Sequence, residues 1–211
     1  MQTIACLSQK GGVGKSTLSR LIAVTFANAQ YRVKIADFNL KQLTAVKWAA
    51  ARKQASYEPV VDAESFTTVG SVLRFKDLYD LIVFDGRPDS DTTSIDIAKV
   101  SNIVIIPSGT SLDDLVPQIG FARELQAKGI TKDRLVFALN QVTRSGAAIR
   151  EAKDLIVQNG YAVLATTIPK MPSYESTQNI GKAISETGYA TLDKAAAGLA
   201  EEVYNRMTGE N

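Results

Sequence analysis

Short apolar runs alternate with longer segments of mixed polarity along most of this chain. The runs are nearly continuous in apolar residues, as expected of strands that helices cover on both faces. They predict strands at residues 4–8, 33–37, 81–85, 103–107, 135–140 and 162–168, with a weaker candidate at 58–61.

The segments between these runs carry the signals of helices. Residues 18–29 are amphipathic, and Ser111 is a suitable N-cap for a helix that ends just before Gly129. Further helices are predicted at about 147–159 and about 192–206. The alternation predicts an α/β fold of three α/β/α layers, with a mostly parallel, twisted sheet between helices and ligands at the carboxyl edge of the strands. Because no linker or repeat interrupts the pattern, we expect a single domain over the 211 residues.

A glycine-rich segment with two lysines lies between the first strand and the first helix. Residues 9–17 read Gln-Lys-Gly-Gly-Val-Gly-Lys-Ser-Thr, and strand, glycine-rich turn and helix form the setting of a phosphate-binding loop. Backbone N–H groups and the helix N-terminus hold the phosphates there, Lys15 reaches the β- and γ-phosphates, and Ser16 binds Mg²⁺. The alternative is a flexible turn with a solvated Lys10. We expect a nucleotide to be bound by Gly11, Gly12, Val13, Gly14, Lys15, Ser16 and Thr17.

The first lysine of this loop separates it from the ordinary phosphate loop, which has a glycine where this chain has Gln9. Residues 10–16 resemble the Lys-Gly-Gly-x-Gly-Lys-[Ser/Thr] loop of the deviant-Walker ParA/MinD ATPases, and in particular of small ParA-type plasmid partition ATPases. The resemblance implies the P-loop NTPase fold of that class, with ATP and Mg²⁺ as ligands. It also implies catalytic roles for Lys10 and Lys15, and a homodimer in the ATP state in which Lys10 reaches the phosphates of the partner.

The second predicted strand ends in Asp37-Phe38-Asn39. This resembles the family's Walker A′ motif, Asp-x-Asp-Pro-Gln, with Asn39 in place of the second aspartate. The resemblance places Asp37 close to Mg²⁺ and the γ-phosphate, and Asn39 beside the attacking water. An amide orients a water but is not a base, so we expect slow hydrolysis. The alternative is that Asn39 only forms a turn.

A run of four apolar residues, 81–84, ends in Asp85 and resembles a Walker B strand. Its carboxylate is expected to hold Mg²⁺ together with Ser16 and Asp37. The alternative is a buried strand that ends in a turn aspartate. The segment after it, Gly86-Arg87-Pro88-Asp89, is similar to the family's γ-phosphate switch.

The base-binding residues are read from resemblance alone. The strand at 135–140 is similar to the family strand whose terminal asparagine, here Asn140, contacts adenine. Pro169 belongs to a segment that resembles the loop packing over the base. A strand-ending asparagine is also a common cap, and that alternative stays open. The guanine-type motif Asn-Lys-x-Asp does not occur in the sequence.

Charge is unevenly spread although the net charge is only +2. Residues 55–100 hold nine acidic and four basic residues, whereas residues 120–153 hold seven basic and three acidic ones. The basic stretch suits weak contact with DNA phosphates. Arg144, Arg150 and Lys153 are the expected contacts. The alternative is that these side chains are only solvated helix faces.

Composition excludes several kinds of chemistry. The sequence has no histidine and one cysteine, Cys6, so it has no internal disulfide and no histidine-based acid–base catalysis. The single cysteine also argues against a nitrogenase iron protein, which needs cluster ligands. Apolar runs stay below the roughly 18–20 residues of a membrane span, and the N-terminus does not read as a secretory signal. We expect a cytoplasmic, nucleoid-associated protein.

The resemblance implies a partition-type ATPase. ATP would drive dimerisation, the dimer would bind nonspecific DNA, and a ParB-like or other centromere-binding adaptor would stimulate hydrolysis. The expected cargo is a plasmid, but a carboxysome or chemotaxis cluster stays open because the partner determines the cargo. A MinD-like membrane ATPase fits less well, since residues 199–207 are acidic for a lipid-binding helix. A metabolic enzyme such as a dethiobiotin synthetase normally lacks Lys10.

Overall fold

The computed structural model describes residues 1–88, 92–143 and 145–209. In this part of the chain, eight strands form one sheet in which every pairing is parallel. The strands are β1 (Gln2–Ser8), β2 (Val33–Asp37), β3 (Asp62–Ser65), β4 (Leu81–Pro88), β5 (Ile103–Ser108), β6 (Leu135–Val142), β7 (Ala162–Val163) and β8 (Ile168–Pro169). Their order is β3-β2-β4-β1-β5-β6-β7, and β8 pairs with the end of β6.

Helices cover both faces of this sheet. They are α1 (Lys15–Asn28), α2 (Thr44–Gln54), α3 (Val69–Leu73), α4 (Thr92–Val100), α5 (Leu112–Ala127), α6 (Gly146–Gln158), α7 (Pro172–Asn179) and α8 (Ala190–Thr208), with a short 3₁₀ helix at Lys132–Arg134. The Ser111 side chain accepts a hydrogen bond from the Asp114 N–H, which confirms the predicted cap of α5. None of the helices in the described ranges is long and apolar enough to span a membrane.

Two apolar layers form the core, one on each face of the sheet. In β1, Ile4 and Cys6 face the layer formed with α1, α2 and α8, while Ala5 and Leu7 face the layer formed with α4, α5 and α6. Burial raises the pKa of the Cys6 thiol to about 12, so this cysteine is a packing residue. The α/β/α architecture predicted from the alternation of runs is confirmed.

Three strand predictions need correction. The weak candidate at 58–61 precedes the real strand, β3, whose residues are polar and mostly exposed because β3 is an edge strand. The run at 162–168 is two short strands, β7 and β8, that pair with different parts of β6. β4 continues to Pro88, three residues beyond the aspartate at which the predicted strand ended.

The order of strands places the loop after β1 in the centre of the carboxyl edge. β1 lies between β4 and β5. From β1 the chain continues to β2, on the β4 side of β1, and after β4 it crosses to β5, on the opposite side of β1. Loops that leave neighbouring strands in opposite directions open a crevice at this position. The glycine-rich loop therefore lies where an α/β sheet binds its ligands.

Candidate nucleotide-binding site

The glycine-rich loop adopts a conformation that requires glycine. Gly12 and Gly14 have φ angles of 75° and 96°, values that side chains strongly disfavour. A Cβ atom on Gly14 would lie 1.8 Å from the Asn140 Nδ2 atom. That amide donates to the Val13 carbonyl at 2.7 Å, and Gln141 Nε2 donates to the Gly12 carbonyl at 2.7 Å. β6 thus holds two carbonyls of the loop.

A cavity of about 250 Å³ opens beside this loop. It joins the loop and the start of α1 to the ends of β2, β4 and β6, which is the meeting point expected of a phosphate site. This cavity, called the phosphate cavity below, is lined by Gly11, Gly12, Gly14, Lys15, Ser16, Thr17, Asn39, Gln42, Gly86, Pro88 and Gln141. Val13 lines a neighbouring cavity of about 270 Å³ instead.

Lys15 places a positive charge inside the loop. Its side chain is buried, with 7% exposed, and its Nζ atom donates to the Lys10 carbonyl at 2.9 Å. A buried ammonium held by a loop carbonyl can exchange that contact for a phosphate oxygen at little cost in desolvation. The role of Lys15 at the β- and γ-phosphates stays a prediction.

Two fully buried carboxylates face the loop from neighbouring strands. Asp37 and Asp85 are in register in the β2–β4 pair. Asp37 accepts the N–H groups of Asn39 and Ala45, both at 2.9 Å, whereas both Asp85 oxygens lack a hydrogen-bond partner within the described residues. Burial, followed by the charge of Asp37, raises the pKa of Asp85 to about 7. Burial also raises the pKa of Asp37.

These groups fit a Mg²⁺ ion. Asp85 supplies two buried oxygens without a hydrogen-bond partner among the described residues. Burial raises the pKa of Asp85, whereas the Ser16 hydroxyl, which lies at the start of α1 and 3.0 Å from Thr44 Oγ1, acts to lower it. Oxygen donors of this type are those that Mg²⁺ prefers. No group of three or more His, Cys, Asp or Glu side chains suited to a metal occurs in the described ranges. A cation here would therefore need phosphate oxygens and waters as further ligands.

Asn39 lies at the cavity with a second amide that sequence reasoning did not assign. Asn39 Nδ2 donates to Gln42 Oε1 at 3.0 Å, and both residues line the phosphate cavity. Gln42 could have been found as a polar residue shortly after the Walker A′ aspartate. The family motif Asp-x-Asp-Pro-Gln has its glutamine four residues after the first aspartate, whereas Gln42 lies five residues after Asp37.

Lys10 points away from the phosphate cavity of its own chain. Its side chain is 44% exposed and forms an ion pair with Asp114 in the first turn of α5. Partial burial acts to raise the pKa of Asp114, but Lys10 and Ser111 outweigh it and hold that pKa below its usual value. Lys10 lines the neighbouring cavity of about 270 Å³ with Gly109, Asp114 and Lys170.

α5 also contacts residues 8–10, where the chain enters the loop. Gln118 Nε2 donates to Ser8 Oγ at 2.7 Å, and Ser8 Oγ accepts the Lys10 N–H at 3.0 Å. Gln9 Nε2 donates to the Glu124 carboxylate at 2.9 Å. No sequence signal identified these residues, because polar side chains on a helix usually indicate a solvated face.

The residues predicted to contact the base come together in a smaller cavity. This cavity of about 60 Å³ is lined by Thr17, Asn140, Gln141, Ile168, Pro169, Lys170, Met171, Tyr174, Glu175 and Gln178. Asn140 is buried, and no described residue bonds its Oδ1 atom. Asn140 therefore anchors the phosphate loop through its amino group and keeps one acceptor for a ligand.

The residues expected to contact DNA have different surroundings. Arg150 is exposed on α6. Lys153 is partly buried, and its ammonium donates to the Ala165 carbonyl. Arg144 lies outside the described residues.

Comparison with known proteins supports the same assignment of fold. A MinD from Pyrococcus horikoshii solved with Mg-ADP is 17% identical, with a TM-score of 0.75, over 96% of this chain and 95% of that one. A Cyanothece McdA–ATP complex is 17% identical, with a TM-score of 0.72, over 97% and 96% of the two chains. A plasmid partition protein from Borrelia burgdorferi bound to AMPPNP is 17% identical, with a TM-score of 0.66, over 97% and 99%. No curated protein sequence matches the chain.

The family profile described as the CobQ/CobB/MinD/ParA nucleotide binding domain matches residues 4–184. This match spans the phosphate loop, both buried carboxylates and the base cavity, and it confirms the resemblance that the loop sequence suggested. The chain belongs to the CobQ/CobB/MinD/ParA nucleotide-binding family.

Proposed function

We propose that this protein is an ATP-driven molecular switch that positions a DNA cargo. Mg²⁺-ATP would be bound by residues 11–17, with Asp85 and Ser16 as ligands of the ion. The Lys15 ammonium supports this, because it is buried and bonded to the Lys10 carbonyl, a contact that a phosphate oxygen would replace. The Mg-ADP and ATP complexes of similar structures support the same ligands.

ATP would bring two copies together. The position of Lys10 carries this proposal: it lies outside the phosphate cavity of its own chain and remains 44% exposed beside the loop. A lysine so placed can meet the phosphates of a second copy and stabilise the charge that develops during phosphoryl transfer. Hydrolysis would then release the dimer.

The dimer would bind DNA without sequence preference. A single exposed arginine on α6, Arg150, gives little affinity at physiological salt. Two copies would place two such sites on one surface, which raises the effective concentration of the second contact. A ParB-like adaptor that stimulates hydrolysis would complete a partition cycle, with a plasmid as the expected cargo.

The apolar face of α8 is packed against the sheet. α8 is docked on the sheet by buried Leu199 and Val203. The Glu202 carboxylate accepts the N–H groups of Ala165 and Thr166, at 2.6 and 2.7 Å. Because its apolar face is already covered, α8 is not available as a lipid-binding helix.

Fluorescence anisotropy with a random-sequence DNA duplex tests this proposal. We expect tight binding with a nonhydrolysable ATP analogue, weak binding with ADP or without nucleotide, and a steep loss of affinity as salt rises. Arg150→Ala should weaken binding, whereas Lys76→Ala, in the acidic half of the chain, should not. Equal affinity in all nucleotide states would overturn the DNA switch and leave a nucleotide-binding protein with another cargo.

A further inference from the structure

The turn after β2 presents two amides to the phosphate cavity where related ATPases are expected to present a carboxylate. Asn39 Nδ2 donates to Gln42 Oε1 at 3.0 Å. Both residues line the same cavity as Lys15 and Ser16. The hydrogen bond makes the two amides one structural unit at the site.

The turn is anchored to the buried carboxylate of Asp37. Asp37 Oδ1 accepts the Asn39 N–H and Oδ2 accepts the Ala45 N–H, both at 2.9 Å. Within the turn, the Asn39 carbonyl accepts the N–H groups of Gln42 and Leu43, at 3.1 and 2.8 Å. Leu43 completes the turn with a φ angle of 51°. The amide pair is thus fixed relative to the carboxylates that face the loop.

The direction of the amide–amide hydrogen bond determines what the pair offers a ligand. Asn39 uses an N–H group as donor, which leaves its Oδ1 atom as an acceptor. Gln42 Oε1 accepts one hydrogen bond and retains a second lone pair. Two neutral acceptor oxygens therefore lie next to each other, enough to accept both hydrogens of one water molecule.

We propose that Gln42 and Asn39 together position the attacking water, as a neutral replacement for a single carboxylate. The inference rests on the proposed ATPase function. The water oxygen forms a bond to the γ-phosphorus, and the bond from that phosphorus to the β–γ bridging oxygen breaks, with its electron pair leaving on ADP. Neither amide accepts a proton, so one water proton passes to an oxygen of the transferred phosphoryl group. The products are ADP³⁻ and H₂PO₄⁻.

The two amides would orient the attacking water by hydrogen bonding but would not remove a proton from it. A glutamine that orients the attacking water is an established arrangement in phosphoryl transfer. The water needs both amides to be held in place, so loss of either one removes the positioned water and is expected to slow the chemical step about tenfold. ATP itself does not need this contact, so affinity for the ground state should stay unchanged.

Single-turnover hydrolysis and binding of two analogues test the pair. Gln42→Ala and Asn39→Ala should each slow hydrolysis about tenfold and weaken binding of ADP–aluminium fluoride by a similar factor. Affinity for AMPPNP should stay at the wild-type value. The double variant should be no slower than either single variant, because each removes the same positioned water. Lys41→Ala, an exposed change in the same turn, is the control and should behave as wild type.

Wild-type hydrolysis and wild-type ADP–aluminium fluoride affinity in Gln42→Ala would overturn the inference. Effects that multiply in the double variant would also overturn it, because they would show two independent contacts. A wild-type protein that binds AMPPNP but never hydrolyses ATP would overturn the proposed ATPase function, and this inference with it.

Discussion

Asp37 and Asp85 are two carboxylates that lie fully buried on adjacent strands, where the charged form of each is disfavoured. Asp37 is stabilised by two backbone N–H groups. Asp85 has no hydrogen-bond partner among the described residues. A buried acid without a hydrogen-bond partner costs stability when it ionises. A cation bound to Asp85 would offset this cost, which is the arrangement expected of a metal ligand.

This arrangement predicts a pH dependence of the nucleotide-free protein. The raised pKa of Asp85, about 7, means that the folded state binds more protons than the unfolded chain between about pH 4 and 7. The free energy of unfolding should therefore fall as the pH rises through that window. Asp85→Asn should remove much of the fall and stabilise the protein at pH 8 by on the order of a few kcal/mol.

Urea unfolding at a series of pH values measures this effect. Asp77→Asn, an exposed substitution, is the matched control and should keep the wild-type profile. An Asp85→Asn variant as sensitive to pH as the wild type would show that Asp85 ionises freely in the folded protein.

Lys15 gives a second prediction at the scale of one residue. Its buried ammonium would make charge-assisted contacts to phosphate that no neighbouring group can replace. Lys15→Ala should weaken ATP binding about 10- to 100-fold, as expected for loss of such contacts. Calorimetry measures the loss, with Lys47→Ala, an exposed change on α2, as control. Undiminished affinity would remove Lys15 from the site.

The sequence predicted the main residues of the phosphate site because their spacing is local. Residues 9–17 form one continuous loop, so their order alone places Lys15 and Ser16 on it. Asn140 was expected near the base, but its contact with the Val13 carbonyl joins residues 127 positions apart. Long-range contacts of this kind depend on the sheet order, which local patterns do not specify.

At the scale of elements, α5 contacts the start of the loop through several side chains. Its residues hold the Lys10 side chain through Asp114 and the adjacent main chain through Gln118 and Ser8. The ion pair with Asp114 holds the Lys10 ammonium, which would have to contact phosphate in the proposed dimer. The nucleotide-free monomer is thus held in a state that competes with the proposed dimer.

Asp114→Asn should make ATP-dependent dimerisation easier. Partly exposed ion pairs contribute about 0.2–1 kcal/mol, so we expect the dimer to form at roughly two- to fivefold lower protein concentration. Sedimentation velocity with AMPPNP measures this shift. Asp113→Asn, an exposed neighbour on the same helix, should leave it unchanged. Weaker dimerisation of Asp114→Asn would instead indicate that Asp114 helps to hold Lys10 in its active position.

The elements that sequence reasoning placed well are the buried ones. β1, β2 and β5 are apolar runs with every or nearly every residue buried, so their pattern is clear. β3 was misplaced because an edge strand needs no apolar run, and its residues are Asp, Ala, Glu and Ser. β7 and β8 have two residues each, too few to show a pattern.

At the scale of the whole molecule, the sheet order brings the candidate phosphate-binding groups and the Lys10 side chain into two neighbouring cavities. The phosphate cavity joins the loop after β1 to the ends of β2, β4 and β6, while Lys10 lines the cavity that also contains Gly109, after β5, and Asn140 of β6. Lys10 forms an ion pair with Asp114 and is not among the described residues that line the phosphate cavity of its own chain. The proposed dimerisation on ATP would give this lysine a further function.

The most direct test is the mass of the protein with and without a nonhydrolysable ATP analogue. Size-exclusion chromatography with light scattering should show the 22.8 kDa chain as a monomer with ADP and as a dimer with AMPPNP and Mg²⁺. Lys10→Ala should bind AMPPNP with nearly wild-type affinity by calorimetry and remain a monomer. A Lys10→Ala variant that dimerises as well as the wild type, or a wild type that stays monomeric with AMPPNP bound, would contradict the switch.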